Sequence, residues 1–176
     1  GNVFCATGVT EQGQGTETII AQIVATSVGV AMENVRVITG DTEVTPYGGG
    51  TWASRGCGIA GEAAGQAGRV LRENILDVAG VILQTESTAL DIQNGNIVDG
   101  VDGEVLTTLE EVARVAYYRP DTFPEDFQSE LVVTRHYVPR DYPFAFTNGI
   151  QASYLEVDNE TGLIRLLKHW CVEDCG

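Results

Sequence analysis

GVTEQGQGTETIIAQIVATSVGVAMENVRVITGDTEVTPYGGGTWASRGCGIAGEAAG, residues 8–65, contains a helix, a strand and the start of a second helix, separated by polar stretches rich in glycine. Over residues 16–28, Ile19, Ile20, Ala21, Ile23 and Val24 share one broad apolar face. Thr16 is placed to cap that helix and Gly29 to close it. Residues 34–39, NVRVIT, read as a short strand with Val35, Val37 and Thr39 on one face and Ile38 on the other. The loop GDTEVTPYGGGT, residues 40–51, then leads into a small-residue helix predicted over 52–76. That helix carries Gly56, Gly58, Gly61, Gly65 and Gly68. Each costs about 1 kcal/mol relative to alanine in a helix interior. Their number therefore predicts close approach to another backbone or to a ligand.

Outward from this stretch, Val3, Cys5, Thr7 and Val9 alternate, predicting a strand within residues 1–9. Downstream, residues 78–86 read as a helix, and 90–98 as a hairpin turning at Asn94-Gly95. An amphipathic helix is predicted over 107–117, capped by Thr107 or Thr108, with Glu110 and Glu111 in its first turn. A Pro/Asp-rich loop fills 119–127, strands are predicted at 129–138 and 150–157, and a turn at 158–162 leads to a last strand over 163–172. This order predicts an α+β (mixed α/β) assembly of two small lobes, helices packed on mixed sheets. The lobes would be residues 1–86 and 87–176, a single continuous domain being the alternative.

Composition narrows the function classes. The chain has 176 residues, 43% of them hydrophobic and 20% charged, the balance of a globular protein with a true core. Its net charge of −15, from 25 acids against 10 bases, repels phosphate backbones and anionic lipid, so neither nucleic acid nor a membrane surface is an expected partner. No apolar run reaches the roughly 18 residues of a spanning helix, and residues 1–20 show no secretory leader. The expected location is cytoplasmic, or periplasmic if an export signal lies upstream. Cys5, Cys57, Cys171 and Cys175 form no C-x-x-C pair and read as reduced, partly buried thiols. His136 and His169 lack a third ligand at metal-site spacing, so no metal site is expected. No nucleophile elbow, phosphate-loop lysine or H-E-x-x-H is present. Glu11, Glu17, Glu43 and Glu62 have no evident partner, Asp41 reads as a turn carboxylate, and no catalytic residue is assigned.

The distinctive features are two glycine-rich loops, each entering a helix: Gly13-Gln14-Gly15, and Gly48-Gly49-Gly50-Thr51-Trp52-Ala53-Ser54-Arg55-Gly56. Backbone N–H groups at such starts form anion-binding nests, to which the Thr51 and Ser54 hydroxyls and Arg55 add donors. Taken alone, such loops are common, and ordinary capping loops are the favoured reading.

With its G-Q-G loop, A-Q-I helix, strand ending in G-D-T and T-x-A-S-R-like loop, the stretch resembles the large subunits of the molybdenum hydroxylases, the xanthine dehydrogenase/aldehyde oxidase/carbon monoxide dehydrogenase family. Residues 155–176, LEVDNETGLIRLLKHWCVEDCG, resemble those subunits' V-D-x-x-T-G-x-x-R-x-L…D-C-G segment. The resemblance implies that the loops hold a molybdopterin cofactor: Gly13, Gln14 and Gly15 at the pterin end, and Thr51, Ala53, Ser54 and Arg55 at the pterin–phosphate portion. The tail, phosphate or cytosine dinucleotide, is left open by Trp52 and Gly56, which depart from some relatives. Gln151 likewise replaces a histidine that many relatives carry.

The resemblance further implies an oxidoreductase acting on aldehydes or N-heterocycles with water as oxygen source. Expected partners are the rest of the large subunit, iron–sulfur and flavin domains or subunits, a small-molecule substrate, and a further copy of the chain. The family's downstream G-E base and upstream G-G-G-F-G-G loop have no match, and relatives continue beyond the D-C-G. The chain is thus expected to be a fragment, inactive alone. The alternative is a non-catalytic binding module on the same scaffold. A dinucleotide-binding enzyme fits less well, because G-Q-G-T-E-T is not the required fingerprint.

Overall fold

β1 (Val3–Ala6) and β2 (Val35–Ile38) pair in parallel, Val3 opposite Val35 and Ala6 opposite Ile38. Parallel neighbours need a crossover, and α1 (Thr16–Val28) supplies it. The computed structural model describes residues 1–141 and 146–174. Helix α1 spans the predicted residues and stops at Gly29, whose φ of 94° and N–H bond to Ala25 O make a left-handed cap. A side chain cannot replace that hydrogen: a Cβ on Gly29 would lie 2.4 Å from both Ile92 O and Arg72 Nη1. At the other end the N-cap is Gly15, and Thr16 is the first helical residue. Thr16 is not the cap, because its hydroxyl is buried and accepts from Gln14 Nε2 at 2.6 Å.

The two helices predicted over 52–76 and 78–86 are one. A single π-helical turn (Gly56–Ala60) runs into α2 (Gly61–Leu83). The helix starts later than expected because Ala53 and Ser54 hold φ of 53° and 57°, which a right-handed helix cannot include. It continues past residue 76 because Ile75, Val78 and Ala79 keep a buried stripe at helical spacing. Gly61, Gly65 and Gly68 face α1, the close approach that the glycine count predicts, whereas Gly58 meets open space. A Cβ on Gly61 would lie 2.9 Å from Ile23 Cδ1, and one on Gly68 2.6 Å from Ser27 Cβ.

Arg72, midway along α2, joins three elements. Its guanidinium donates to Val28 O (2.8 Å) at the end of α1 and to Ile92 O (3.3 Å), and it forms an ion pair with Asp91. Asp91 and Ile92 belong to β3 (Leu90–Gln93), which turns at Asn94 (φ 50°) and Gly95 (φ 78°) into β4 (Asn96–Asp99), the predicted hairpin. A third strand, β5 (Val105–Thr108), pairs with β4; its apolar residues Val105 and Leu106 are adjacent and exposed, so no alternation announced it. α3 (Leu109–Tyr118) follows, capped by Thr108, whose hydroxyl accepts from Glu111 N at 3.2 Å. The core forms around α2: Ile20, Val28, Ile75, Val78, Ile97 and Val112 are wholly enclosed. Each contributes about 1.5–3 kcal/mol by burial.

Residues 129–138 form no strand: they bond to no strand edge, and residues 131–138 line a cavity with β1 and α2. β6 (Asn148–Val157) and β7 (Ile164–Asp174) form an antiparallel hairpin separate from the other sheets. It exposes Ile150, Tyr154, Leu155, Ile164, Leu166, Trp170 and Val172. The fold is therefore mixed helix and sheet, as expected. The thiols depart from expectation, since only Cys5 is half-buried while Cys57 and Cys171 are exposed on unpacked surfaces. Cys175 lies outside the described residues.

The glycine seam gives a paired test. Gly68→Ala should destabilise the chain by about 1–3 kcal/mol through overpacking against Ser27. Gly58→Ala, with open space at its Cβ, should be neutral or stabilise it by up to about 1 kcal/mol. Urea denaturation of both variants measures the difference; equal effects would remove the packing explanation. The bare hairpin leads to a second expectation, concentration-dependent self-association in light scattering despite the high negative charge.

Candidate functional site

The two glycine loops meet. Thr51 Oγ1 accepts from Thr10 N at 2.7 Å and donates to Thr10 O at 2.7 Å, a two-way bond between residues distant in sequence. Gln12 Nε2 adds a longer contact to Thr51 O at 3.5 Å. Behind them Gly8 and Gly48 pass backbone to backbone; a Cβ on Gly8 would fall 2.4 Å from Gly48 N. The start of the π turn also sits beside α1, since a Cβ on Gly56 would lie 3.6 Å from Thr16 Oγ1. The starts of both helices thus share one rim.

In the first loop, Gly13 and Gly15 hold φ of 98° and 79°, with nothing near their Cβ positions. The loop's donors, however, are used within it. The Glu11 carboxylate accepts from Gly13 N (2.7 Å), Gly15 N (3.0 Å) and Glu17 N (3.1 Å). These backbone N–H groups, that of Glu17 foremost, hold the Glu11 carboxyl below its ordinary pKa. The Gln14 amide is equally engaged: its Oε1 accepts from Gln12 N at 2.6 Å, and its Nε2 donates to Thr10 O and Thr16 Oγ1. Gln14 therefore braces the loop, with acceptor capacity left on Oε1.

The second loop is built differently. Gly49 and Gly50 have φ of 76° and 80°, followed by Ala53 and Ser54 in the left-handed region, where side chains are disfavoured. Two adjacent non-glycine residues in that region mark a strained segment of the kind that clusters at binding sites. Trp52 Nε1 donates to Gly49 O at 3.0 Å, and the Arg55 guanidinium lies 5.4 Å from the Trp52 ring centroid. Among the described residues no carboxylate pairs with Arg55. The Thr10–Thr51 bridge thus ties Thr51 to the first loop, whose donors are backbone N–H groups, while Arg55 supplies a cation at the second, beside Gly49.

A cavity of about 850 Å³ lies between β1, α2 and residues 131–138, and it includes Gly48, Gly49 and Arg55 but none of the other candidate residues. Burial raises the pKa of Cys5 on its wall. Asp41 does stabilise its turn, accepting from Glu43 N at 2.9 Å. His169 Nδ1 lies 2.8 Å from Ser153 Oγ across the hairpin, and among the described residues no group of three His, Cys, Asp or Glu could hold a metal ion. Sequence reasoning missed Thr10 and the capping role of Glu11. The signal for Glu11 was an acid just ahead of a G-x-G that opens a helix.

All of residues 1–176 match the family model described as a molybdopterin cofactor-binding domain, and the chain belongs to that family. It is 30% identical over 176 residues to the carbon monoxide dehydrogenase large chain of Hydrogenophaga pseudoflava, covering 100% of this chain and 21% of that one. It is also 30% identical over 178 residues to the nicotine 6-hydroxylase large subunit of Paenarthrobacter nicotinovorans, with the same coverage. Among solved structures, quinoline 2-oxidoreductase from Pseudomonas putida 86 superposes with a TM-score of 0.74 at 33% identity, over 96% of this chain and 21% of that one. The chain therefore spans about a fifth of the relatives it matches.

Glu11 makes the first loop acid-sensitive. A carboxyl whose folded pKa is depressed stabilises the fold above its unfolded pKa, and this is lost as pH falls through the folded value. The Gly13 and Gly15 amide chemical shifts should titrate together on the acid side. In Glu11→Gln that step should vanish; its persistence would assign it to another acid.

Proposed function

We propose that this chain supplies the cofactor-cradling loops of the large subunit of a molybdenum hydroxylase, one that oxidises an aldehyde or N-heterocycle with oxygen from water. The observation that carries this reading is the joining of two glycine loops by Thr10 and Thr51, with the Arg55 guanidinium beside Gly49 and without a carboxylate partner among the described residues. These features suit a group with a heterocyclic end and an anionic end. The first loop is braced by its own hydrogen bonds to the Glu11 carboxylate and offers no cation, with Gln14 Oε1 keeping acceptor capacity. In the second, Thr51, Ala53 and Ser54 would hold the pterin–phosphate portion and Arg55 would neutralise its phosphate. A tail in the cytosine dinucleotide form extends the same anionic portion.

When bound, the molybdenum cofactor supplies the two-electron oxidation, and the protein's share is binding, orientation and electrostatics. The close Gly8–Gly48 crossing and the two-way threonine bond fix the spacing of the loops before anything binds. Positioning of this kind is pre-organisation: little ordering entropy remains to be lost on binding. The rest of the large subunit would cover the β6–β7 hairpin, and electrons would leave through iron–sulfur and flavin partners. In that setting residues 1–86 act as the cofactor-loop lobe and 87–176 as its support. The site belongs to a protein working in the cytoplasm, or in the periplasm if exported.

The test uses the full-length subunit. Arg55→Ala should reduce molybdenum and pterin per protomer about tenfold when cofactor is limiting, the scale of a lost charge-assisted hydrogen bond. Gln14→Ala should lower occupancy less, acting through loop shape. Metal analysis and pterin fluorescence of the purified variants measure both. Wild-type occupancy in both variants would leave the non-catalytic binding module as the better reading.

A further inference from the structure

Glu11 lies in the polar stretch ahead of α1, yet its side chain turns toward the start of that helix. It accepts from Gly13 N, Gly15 N and Glu17 N at 2.7–3.1 Å. A phosphate seated in a glycine loop at a helix start would use donors of this kind. Here they are already bonded to a carboxylate from the same chain. The next donor along, Gln12 N, is taken by Gln14 Oε1 at 2.6 Å, and both Gln14 N–H groups are taken by Thr10 and Thr16. The second loop differs in its charge: it carries a cation, Arg55, that lacks a carboxylate partner among the described residues.

We propose that Glu11 is a positioning residue that acts as a built-in anion, excluding phosphate from the Gly13–Gly15 loop and so directing the cofactor's anionic portion to the Arg55 loop. The inference rests on the functional reading above and deepens it by assigning orientation. Without Glu11, both loops would offer anion-binding donors within one rim, and a group with a heterocyclic and a phosphate end could enter either way round. With Glu11 in place one entry brings two negative charges together, and the other brings a negative charge to a cation. Like charges placed together are an effective device for rejecting the wrong arrangement.

The experiment measures binding of inorganic phosphate by equilibrium dialysis to cofactor-free, full-length subunit at neutral pH. Wild type, Glu11→Ala and Glu11→Gln are compared. Glu11→Ala should bind one phosphate per protomer more than wild type, and amide hydrogen exchange at Gly13, Gly15 and Glu17 should speed up and then slow again as phosphate is added. Glu11→Gln keeps an acceptor oxygen but no charge, so it should show the same increment more weakly. It also serves as the readout if the alanine variant does not fold.

A merely structural Glu11 would loosen the loop without creating phosphate binding, so equal stoichiometry in all three proteins overturns the proposal. So does phosphate-dependent protection of these amides in wild type. Cofactor is not needed for this measurement, so the two ideas fail separately. If Arg55→Ala loses cofactor while Glu11→Ala gains no phosphate, the functional reading stands and this one falls. If Glu11→Ala gains a phosphate while Arg55→Ala keeps its cofactor, the functional reading falls, and with it the assigned orientation, while the exclusion of phosphate by Glu11 stands.

Discussion

Helices α1 and α2 lie close enough that Gly61 and Gly68 have no room for a side chain, their Cβ positions falling within 3 Å of Ile23 and Ser27. The spacing of the two helices fixes the relation between their N-terminal ends, and the glycine loops are attached to those ends. Bulkier residues along the seam would push the ends apart and strain the threonine bond between Thr10 and Thr51. Arg72 secures the other end of the pair, where it bonds to Val28 O and Ile92 O and pairs with Asp91. The seam costs helix propensity at each glycine, and burial of Ile20, Val28, Ile75 and Val78 around it offsets that cost.

Much of this was legible in the residues. Helix α1 is bounded as its apolar spacing and Gly29 indicate, and Asn94-Gly95 announces its hairpin because both positions need left-handed backbone. The glycine count in α2 signalled close packing, since nothing else compensates for so many weak helix formers. Legibility failed where distant neighbours decide the outcome. Residues 129–138 alternate like a strand, but a strand requires a free edge beside it, and this segment borders a cavity instead. Cys57 and Cys171 looked partly buried by residue type, but both are exposed.

The candidate site was legible as chemistry and not as wiring. Glycine, hydroxyl and guanidinium groups near two helix starts could be read from the chain, and the two loops that carry them are tied at Thr10 and Thr51. Which donors remain available could not be read, because that depends on where Glu11 and Gln14 turn. Glu11 looked like an unpaired acid since its partners are backbone N–H groups, which every sequence carries and none displays. The same holds for Thr10, one of many threonines until its bond to Thr51 is seen.

The π turn at Gly56–Ala60, where Gly61 N reaches back to Gly56 O, has a geometric consequence for the second loop. A helix advances about 100° per residue, so one additional residue in a turn rotates everything before it by roughly that angle relative to everything after. The turn thus sets the phase between Arg55 and the glycine seam: the seam faces α1 while the arginine is aimed independently. A chain shortened by one residue here could keep its core and its loop sequence and still point its cation at the wrong side of the rim.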